Sequence, residues 1–139
     1  MHSKQKGNIG EAAVVLELVR KGLPVFKELG DLCKIDLITV INNKCVKIQV
    51  KNLSATNNNN SIPFTTHKSG PNYRFTYTRS DVDVFALLLP NDKVIYINWN
   101  DLGDRDGMVF RISPPKNGQL KGVHLFENYL DFDRVISTL

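Results

Sequence analysis

Apolar residues recur at helical spacing in Ile9, Ala12, Ala13, Leu16 and Val19, which predicts an amphipathic helix over roughly residues 8–21. Asn8 is placed to cap it, and Glu11 three residues on completes a capping-box pattern. Gly22 ends the helix and Pro24 prevents its continuation. Val25-Phe26-Lys27 reads as a short strand, and two longer runs of strand character follow, residues 34–41 and 44–51. Asn42-Asn43 between them suits a two-residue hairpin turn, because asparagine tolerates positive φ better than most residues. Pairing Ile41 with Lys44 then makes the numbers of opposed residues sum to 85, so Asp36 is expected directly across from Gln49. Side chains alternate along a strand, which puts Asp36, Gln49 and Lys51 on one face and Ile35, Leu37, Ile48 and Val50 on the other.

Residues 53–72, with Asn57-Asn58-Asn59-Asn60, Pro63, Gly70 and Pro71, read as a long polar loop. Residues 74–78 alternate like a strand, and Ser80 is a cap for a short turn through Asp83. Two nearly continuous apolar runs, 85–89 and 94–99, are joined around Asn91-Asp92 and predict inner strands of a mixed sheet. Residues 108–112 predict another strand, Pro114-Pro115 breaks it, and 127–136 predict a closing helix. The expectation is one α/β domain over residues 1–139, an N-terminal helix followed by a mixed (α+β) sheet with flanking helices.

Composition narrows the class. An apolar share of 42% and a charged share of 23% suit a soluble domain, and no run of about 18 apolar residues is present to span a membrane. The N-terminus lacks an apolar segment after its basic residues, so the expected location is cytoplasmic. Cys33 and Cys45 match no zinc spacing and are expected to be buried free thiols. The net charge is only +4, but its distribution is lopsided: residues 1–80 carry twelve Lys/Arg against five Asp/Glu, and 81–139 carry six against nine. No carboxylate occurs between Asp36 and Asp81, where Lys44, Lys47, Lys51, Lys68, Arg74 and Arg79 fall. Such a field favours a polyanion on one face, with a solvated lysine-rich surface as the plain alternative.

The expected hairpin gathers residues able to hydrolyse a phosphodiester. That chemistry needs an ion that polarises phosphate and acidifies water, and a hard cation such as Mg²⁺ takes oxygen ligands. Asp36 offers a carboxylate, Gln49 an amide oxygen, Val50 a backbone carbonyl, and Glu11 a second carboxylate from the helix. Lys51 beside them can stabilise charge in the transition state. Each has a plainer reading: Glu11 as a capping-box partner, Asp36 in a salt bridge with Lys51, Gln49 and Lys51 as a solvent face.

The segments Gly7-Asn8-Ile9-Gly10-Glu11, Lys34-Ile35-Asp36-Leu37 and Ile48-Gln49-Val50-Lys51 resemble the PD-(D/E)XK nucleases, most of all the group I intron-encoded homing endonucleases with this fold. The resemblance runs from about residue 6 to 102 and includes residues 78–85. It implies that Asp36 is the motif aspartate, Lys51 the motif lysine and Glu11 the helix-borne carboxylate, with Gln49 where most relatives carry Asp or Glu. Ile35 replaces the usual proline, and Gln49 removes one negative charge from the metal site. The implied cofactor is Mg²⁺, for which Mn²⁺ can substitute. The implied activity is site-specific cleavage of double-stranded DNA to a double-strand break, by a homo-oligomer (dimer or tetramer) that presents two active sites. Lys34, Lys47, His67, Lys68, Tyr73, Arg74 and Arg79 are the residues expected to meet DNA, whereas Tyr77, between Arg74 and Arg79 in the sequence, is expected to face the core. Alternatives are a Holliday-junction resolvase, a restriction-type nuclease, or a DNA-binding protein on a decayed nuclease fold.

Overall fold

Helix α1 (Ser3–Arg20) starts five residues before the predicted cap. His2 is the actual N-cap, its Nδ1 accepting the Lys4 N–H at 3.2 Å, so Asn8 and Glu11 lie inside the helix and form no capping box. Its other end follows expectation. Gly22 at φ 80° donates to the Val19 carbonyl and Leu23 to the Leu18 carbonyl, a Schellman closure that only a residue without Cβ adopts cheaply. The structure is a computed structural model that describes residues 2–30, 32–54 and 61–139.

Strands β1 (Val25–Phe26), β2 (Leu37–Ile41) and β3 (Lys44–Asn52) form an antiparallel meander. The turn is as predicted: Asn42 and Asn43 both take positive φ, 52° and 64°, and Ile41 pairs with Lys44. The chain then makes β4 (Ser61–Thr65), the hairpin β5 (His67–Gly70) and β6 (Tyr73–Thr76), and returns as β7 (Val84–Leu88) parallel to β3. β8 (Val94–Asn98) closes a five-stranded mixed sheet of order β1-β2-β3-β7-β8, so β8 is an edge strand and not an inner one. It is fully buried all the same, because elements cover both faces of the sheet.

The segment predicted as loop over residues 53–72 holds β4 and β5 instead; its Asn57–Asn60 run lies outside the described residues. Ile62 and Phe64 alternate inward around exposed Pro63, and proline is tolerated because β4 is the edge of a three-stranded sheet. That sheet is completed by β9 (Gly107–Arg111) and β10 (His124–Leu125), after the short helix α2 (Trp99–Leu102). The predicted closing helix is split into a 3₁₀ turn (Phe126–Tyr129) and helix α3 (Phe132–Ile136), because Asp131 caps a fresh start by accepting the Asp133 N–H.

Two apolar layers result. Val14 and Leu18 of α1 and Phe132 and Val135 of α3 pack on the even-numbered side of β3, while Ile62, Phe64, Tyr77 and Phe110 cover the other side. Gly10 lets α1 approach closely: a Cβ there would lie 3.2 Å from that of Asn52 and 3.5 Å from a Val50 methyl. Only the narrow Gly10-Val14-Leu18 line is therefore buried, and the stripe that defined the helix in the sequence turns outward, with Ile9, Leu16 and Val19 41%, 51% and 55% exposed. Both cysteines are free and exposed, contrary to the expectation of buried thiols. Among the described residues, no helix is long and apolar enough to cross a membrane.

Candidate active site

The predicted register holds as far as Leu37, which pairs with Ile48, and stops there. The Asp36 N–H also donates to the Ile48 carbonyl, at 3.1 Å, so two residues oppose one at the end of β2 and Asp36 is not in the ladder across from Gln49. This local bulge frees the Asp36 side chain to fold over β3, where Oδ2 accepts the Val50 N–H at 2.9 Å. The carboxylate is thereby anchored between Gln49 and Lys51 by one backbone contact. Burial raises its pKa above the ordinary value; the Val50 bond opposes that, the Glu11 carboxylate adds to it, and Lys68 and Lys27 oppose it.

Glu11 reaches the same place from α1. It forms an ion pair with Lys27 at 3.1 Å, and together with Asp36, Asn8, Gly30 and Ile35 the pair lines one cavity of about 430 Å³. Lys27 is a residue that sequence reasoning misses, because nothing in a single lysine after a two-residue strand signals it. Among the described residues, no three His, Cys, Asp or Glu side chains cluster in a way that would hold a metal by themselves. Three carboxylates line the cavity, and because Glu28 accepts the Leu32 and Cys33 N–H groups, Glu11 and Asp36 are the two left to act with amide and backbone oxygens.

Gln49 faces the β4 side of the sheet, only 7% exposed, and its Oε1 has no hydrogen-bond partner among the described residues. A buried amide oxygen left bare costs free energy, so it fits a cation or ligand arriving there. Lys51, two residues on, does not pair with Asp36. Its ammonium donates to the Thr65 carbonyl at 2.7 Å and lies 5.2 Å from the Phe64 ring and 5.9 Å from that of Tyr77. Burial pulls its pKa down to about 8, with Lys68 adding to the shift. Tyr77 is buried as expected, and burial followed by the Asp36 and Asp81 charges pushes its phenol up to about 12.

The chain matches the model of the PD-(D/E)XK endonuclease family over residues 1–132. It belongs to that family. The PD-(D/E)XK fold also accounts for the topology, since the solved structure of a bacterial homing endonuclease, I-Ssp6803I, superposes with a TM-score of 0.80 at 17% identity, covering 99% of this chain and 95% of that one. No curated protein matches the sequence. The chain is thus a DNA endonuclease of PD-(D/E)XK type, with a mixed α/β core entered through an N-terminal helix.

Around this PD-(D/E)XK core the basic candidates divide into groups. His67, Lys68, Tyr73 and Arg74 are carried on the β5–β6 hairpin, where Tyr73 and Arg74 are exposed and the His67 ring bonds Thr76 and approaches Asp106. Lys34 lies over the Phe75 ring at 4.7 Å and approaches Asp81 at 3.8 Å. Lys47 donates to the Ser80 carbonyl, and the Arg79 guanidinium lies 5.9 Å from the Trp99 ring. Thr78, not Ser80, anchors the turn before β7, its N–H donating to Asp81.

Proposed function

We propose that the protein is a metal-dependent, site-specific endonuclease of homing type that hydrolyses both strands of double-stranded DNA, with residues 1–139 acting as one catalytic domain in the cytoplasm. The observation that carries this reading is the shared cavity of Glu11 and Asp36, with Asp36 tied to Val50 between Gln49 and Lys51. Glu11, Asp36, the bare Oε1 of Gln49 and the Val50 carbonyl are the oxygens that would hold Mg²⁺ or Mn²⁺. When bound, such an ion supplies Lewis acidity and lowers the pKa of water. The chain's own residues do the rest. Asp36 and Glu11 keep the cavity anionic, and Lys51 brings a proton-bearing Nζ that neutralises charge growing on the phosphate. Lys34, Lys47, His67, Lys68, Tyr73, Arg74 and Arg79 supply the DNA face, Lys68 being close enough to act on both Asp36 and Lys51.

The outward stripe of Ile9, Leu16 and Val19 supports a homo-oligomer, dimer or tetramer, since an apolar helical stripe left in water is the kind of surface that a second subunit covers. Two copies present two sites, one for each strand. The test is incubation of the purified protein with linear duplex DNA and with a four-way junction, with and without Mg²⁺. Metal-dependent conversion of duplex to double-strand breaks is the expected result. Cleavage confined to the junction, or none with either substrate, would remove the homing reading.

A further inference from the structure

The Lys51 ammonium is held by main-chain oxygens from outside its own sheet. Besides the Thr65 carbonyl at 2.7 Å it donates to the His67 carbonyl at 3.4 Å, and among the described residues no carboxylate pairs with it. The two acceptors flank Thr66, the single residue between β4 and β5. Thr66 is 1% exposed, and all its polar groups are engaged. Its carbonyl accepts the Tyr77 N–H at 2.9 Å, while its N–H and its hydroxyl both donate to the Asp106 carbonyl, at 2.8 and 3.0 Å. The Thr65 hydroxyl donates to that same carbonyl at 3.4 Å and accepts the His67 N–H at 3.2 Å. Gly107, opposite Thr65 in the β4–β9 ladder, permits this closeness, since a Cβ there would overlap the Phe64 carbonyl oxygen.

We propose that Thr65 and Thr66 are positioning residues for the nuclease reaction: their hydroxyls fasten the chain between β4 and β5 to Asp106, so that the Thr65 and His67 carbonyls aim the Lys51 ammonium. This rests on Lys51 being the lysine of the nuclease site. A lysine stem is flexible, and ordering it during the reaction would slow the step, so a stem fixed beforehand favours turnover. The Phe64 and Tyr77 rings beside the ammonium come from the same two pinned stretches of chain and confine it further. Carbonyls suit the task better than a carboxylate would. They are neutral, so they hold the group without offsetting the charge that it brings to a phosphate. An ammonium carries three N–H donors, and two carbonyls leave one of them for the substrate.

The experiment compares the double variant Thr65→Val with Thr66→Val, which keeps the shape and loses both hydroxyls, with Thr65→Ser with Thr66→Ser, which keeps them. The valine protein should fold, because the Asp106 carbonyl retains the Thr66 N–H. In cleavage of linear duplex DNA with Mg²⁺, its kcat should fall about tenfold with KM changed by less than about twofold, and the serine protein should stay within about twofold of the parent. A second readout needs no cleavage. In metal-free protein carrying isotope-labelled lysine, the two ε-methylene protons of Lys51, assigned by their absence from Lys51→Met, should give separate NMR signals in the parent. They should merge in the valine protein and stay apart in the serine one. A valine protein that cleaves like the parent, a loss confined to KM, a serine protein as poor as the valine one, or ε-proton signals unmoved by the valines would overturn the proposal. Should the valine pair fail to fold, Thr65→Val alone, at an exposed position, puts the same test with Thr66 intact. A parent that cleaves no DNA would reject the nuclease reading, and the positioning role with it, even where the merging signals show that the hydroxyls hold Lys51.

Discussion

Asp36 accepts the backbone N–H of Val50 at 2.9 Å, so the aspartate that leaves the β2 ladder is fastened to the strand carrying Gln49 and Lys51. That bond lowers the cost of keeping a charged carboxylate partly buried but does not cancel it, since burial and Glu11 still raise the Asp36 pKa. A raised carboxylate pKa means that the folded state binds protons more tightly than the unfolded state. Its cost is absent below the ordinary aspartate range and grows as pH rises from that range through the raised value.

Asp36→Asn should therefore melt higher than the parent at neutral pH, and the gap should close as pH falls toward the ordinary aspartate range. The amide oxygen can still accept the Val50 N–H, so the fold and DNA binding should persist while cleavage is abolished. Thermal melts across pH, set beside a cleavage assay, check both halves. Normal turnover by this variant would remove Asp36 from the site.

Lys27 competes for Glu11. Their ion pair at 3.1 Å is 63% exposed on the lysine side, so breaking it should cost little, and a cation arriving at Glu11 must displace it. Lys27→Met should tighten Mg²⁺ binding about two- to fivefold, whereas Glu11→Gln should fold, bind DNA and fail to cleave. Titration calorimetry of Mg²⁺ on both variants reads the opposite signs. A fully active Glu11→Gln would leave Asp36 as the sole acidic ligand.

Gln49 buries an oxygen with no partner among the described residues. Gln49→Glu should destabilise the metal-free protein by about 1–3 kcal/mol, because a charge replaces a polar atom in a buried place. Mg²⁺ should restore that stability and raise the variant more than it raises the parent, as linked binding requires. Equal stabilisation of the two by Mg²⁺ in a thermal shift assay would separate Gln49 from the ion.

Lys51 titrates near 8 in the fold and near 10.5 when exposed, so between those values the unfolded chain binds a proton that the folded chain does not. The stability of the parent should then rise with pH across that window relative to Lys51→Met, which keeps the aliphatic stem and has nothing to titrate. Removing the bond to the Thr65 carbonyl offsets the variant by a constant amount and leaves the slope intact. Denaturant melts at four or more pH values spanning that window should show the parent gaining on the variant, and parallel curves would place Lys51 in ordinary solvent.

For the basic face, neutralising Lys68, Arg74 or Arg79 should weaken DNA binding and reduce the slope of log affinity against log salt by about 0.9 for each phosphate left without its cation. Arg79 has a competing role, stacked toward the Trp99 ring, and its removal should also lower the thermal midpoint slightly. Salt titrations of binding separate the two effects. Unchanged slopes in all three would put the DNA elsewhere.

Local chemistry determined more of this protein than its helix did. Asn42 and Asn43 accept positive φ, and that fact alone set the hairpin, its register and the face on which Gln49 and Lys51 stand. The continuous apolar runs of β7 and β8 likewise identified strands covered on both faces. A periodic pattern shows that a helix has an apolar side but not what lies against it. For that reason only the tertiary structure could show that Gly10 draws α1 onto Val50 and Asn52 while Ile9, Leu16 and Val19 face out. The same holds at the site. The bulge at Asp36, the reach of Glu11 to Lys27 and the turning of Lys51 toward Thr65 join residues 14 to 16 positions apart, and each depends on where a partner group happens to be free. Such contacts are decided by packing between elements, on which the order of residues along the chain is silent.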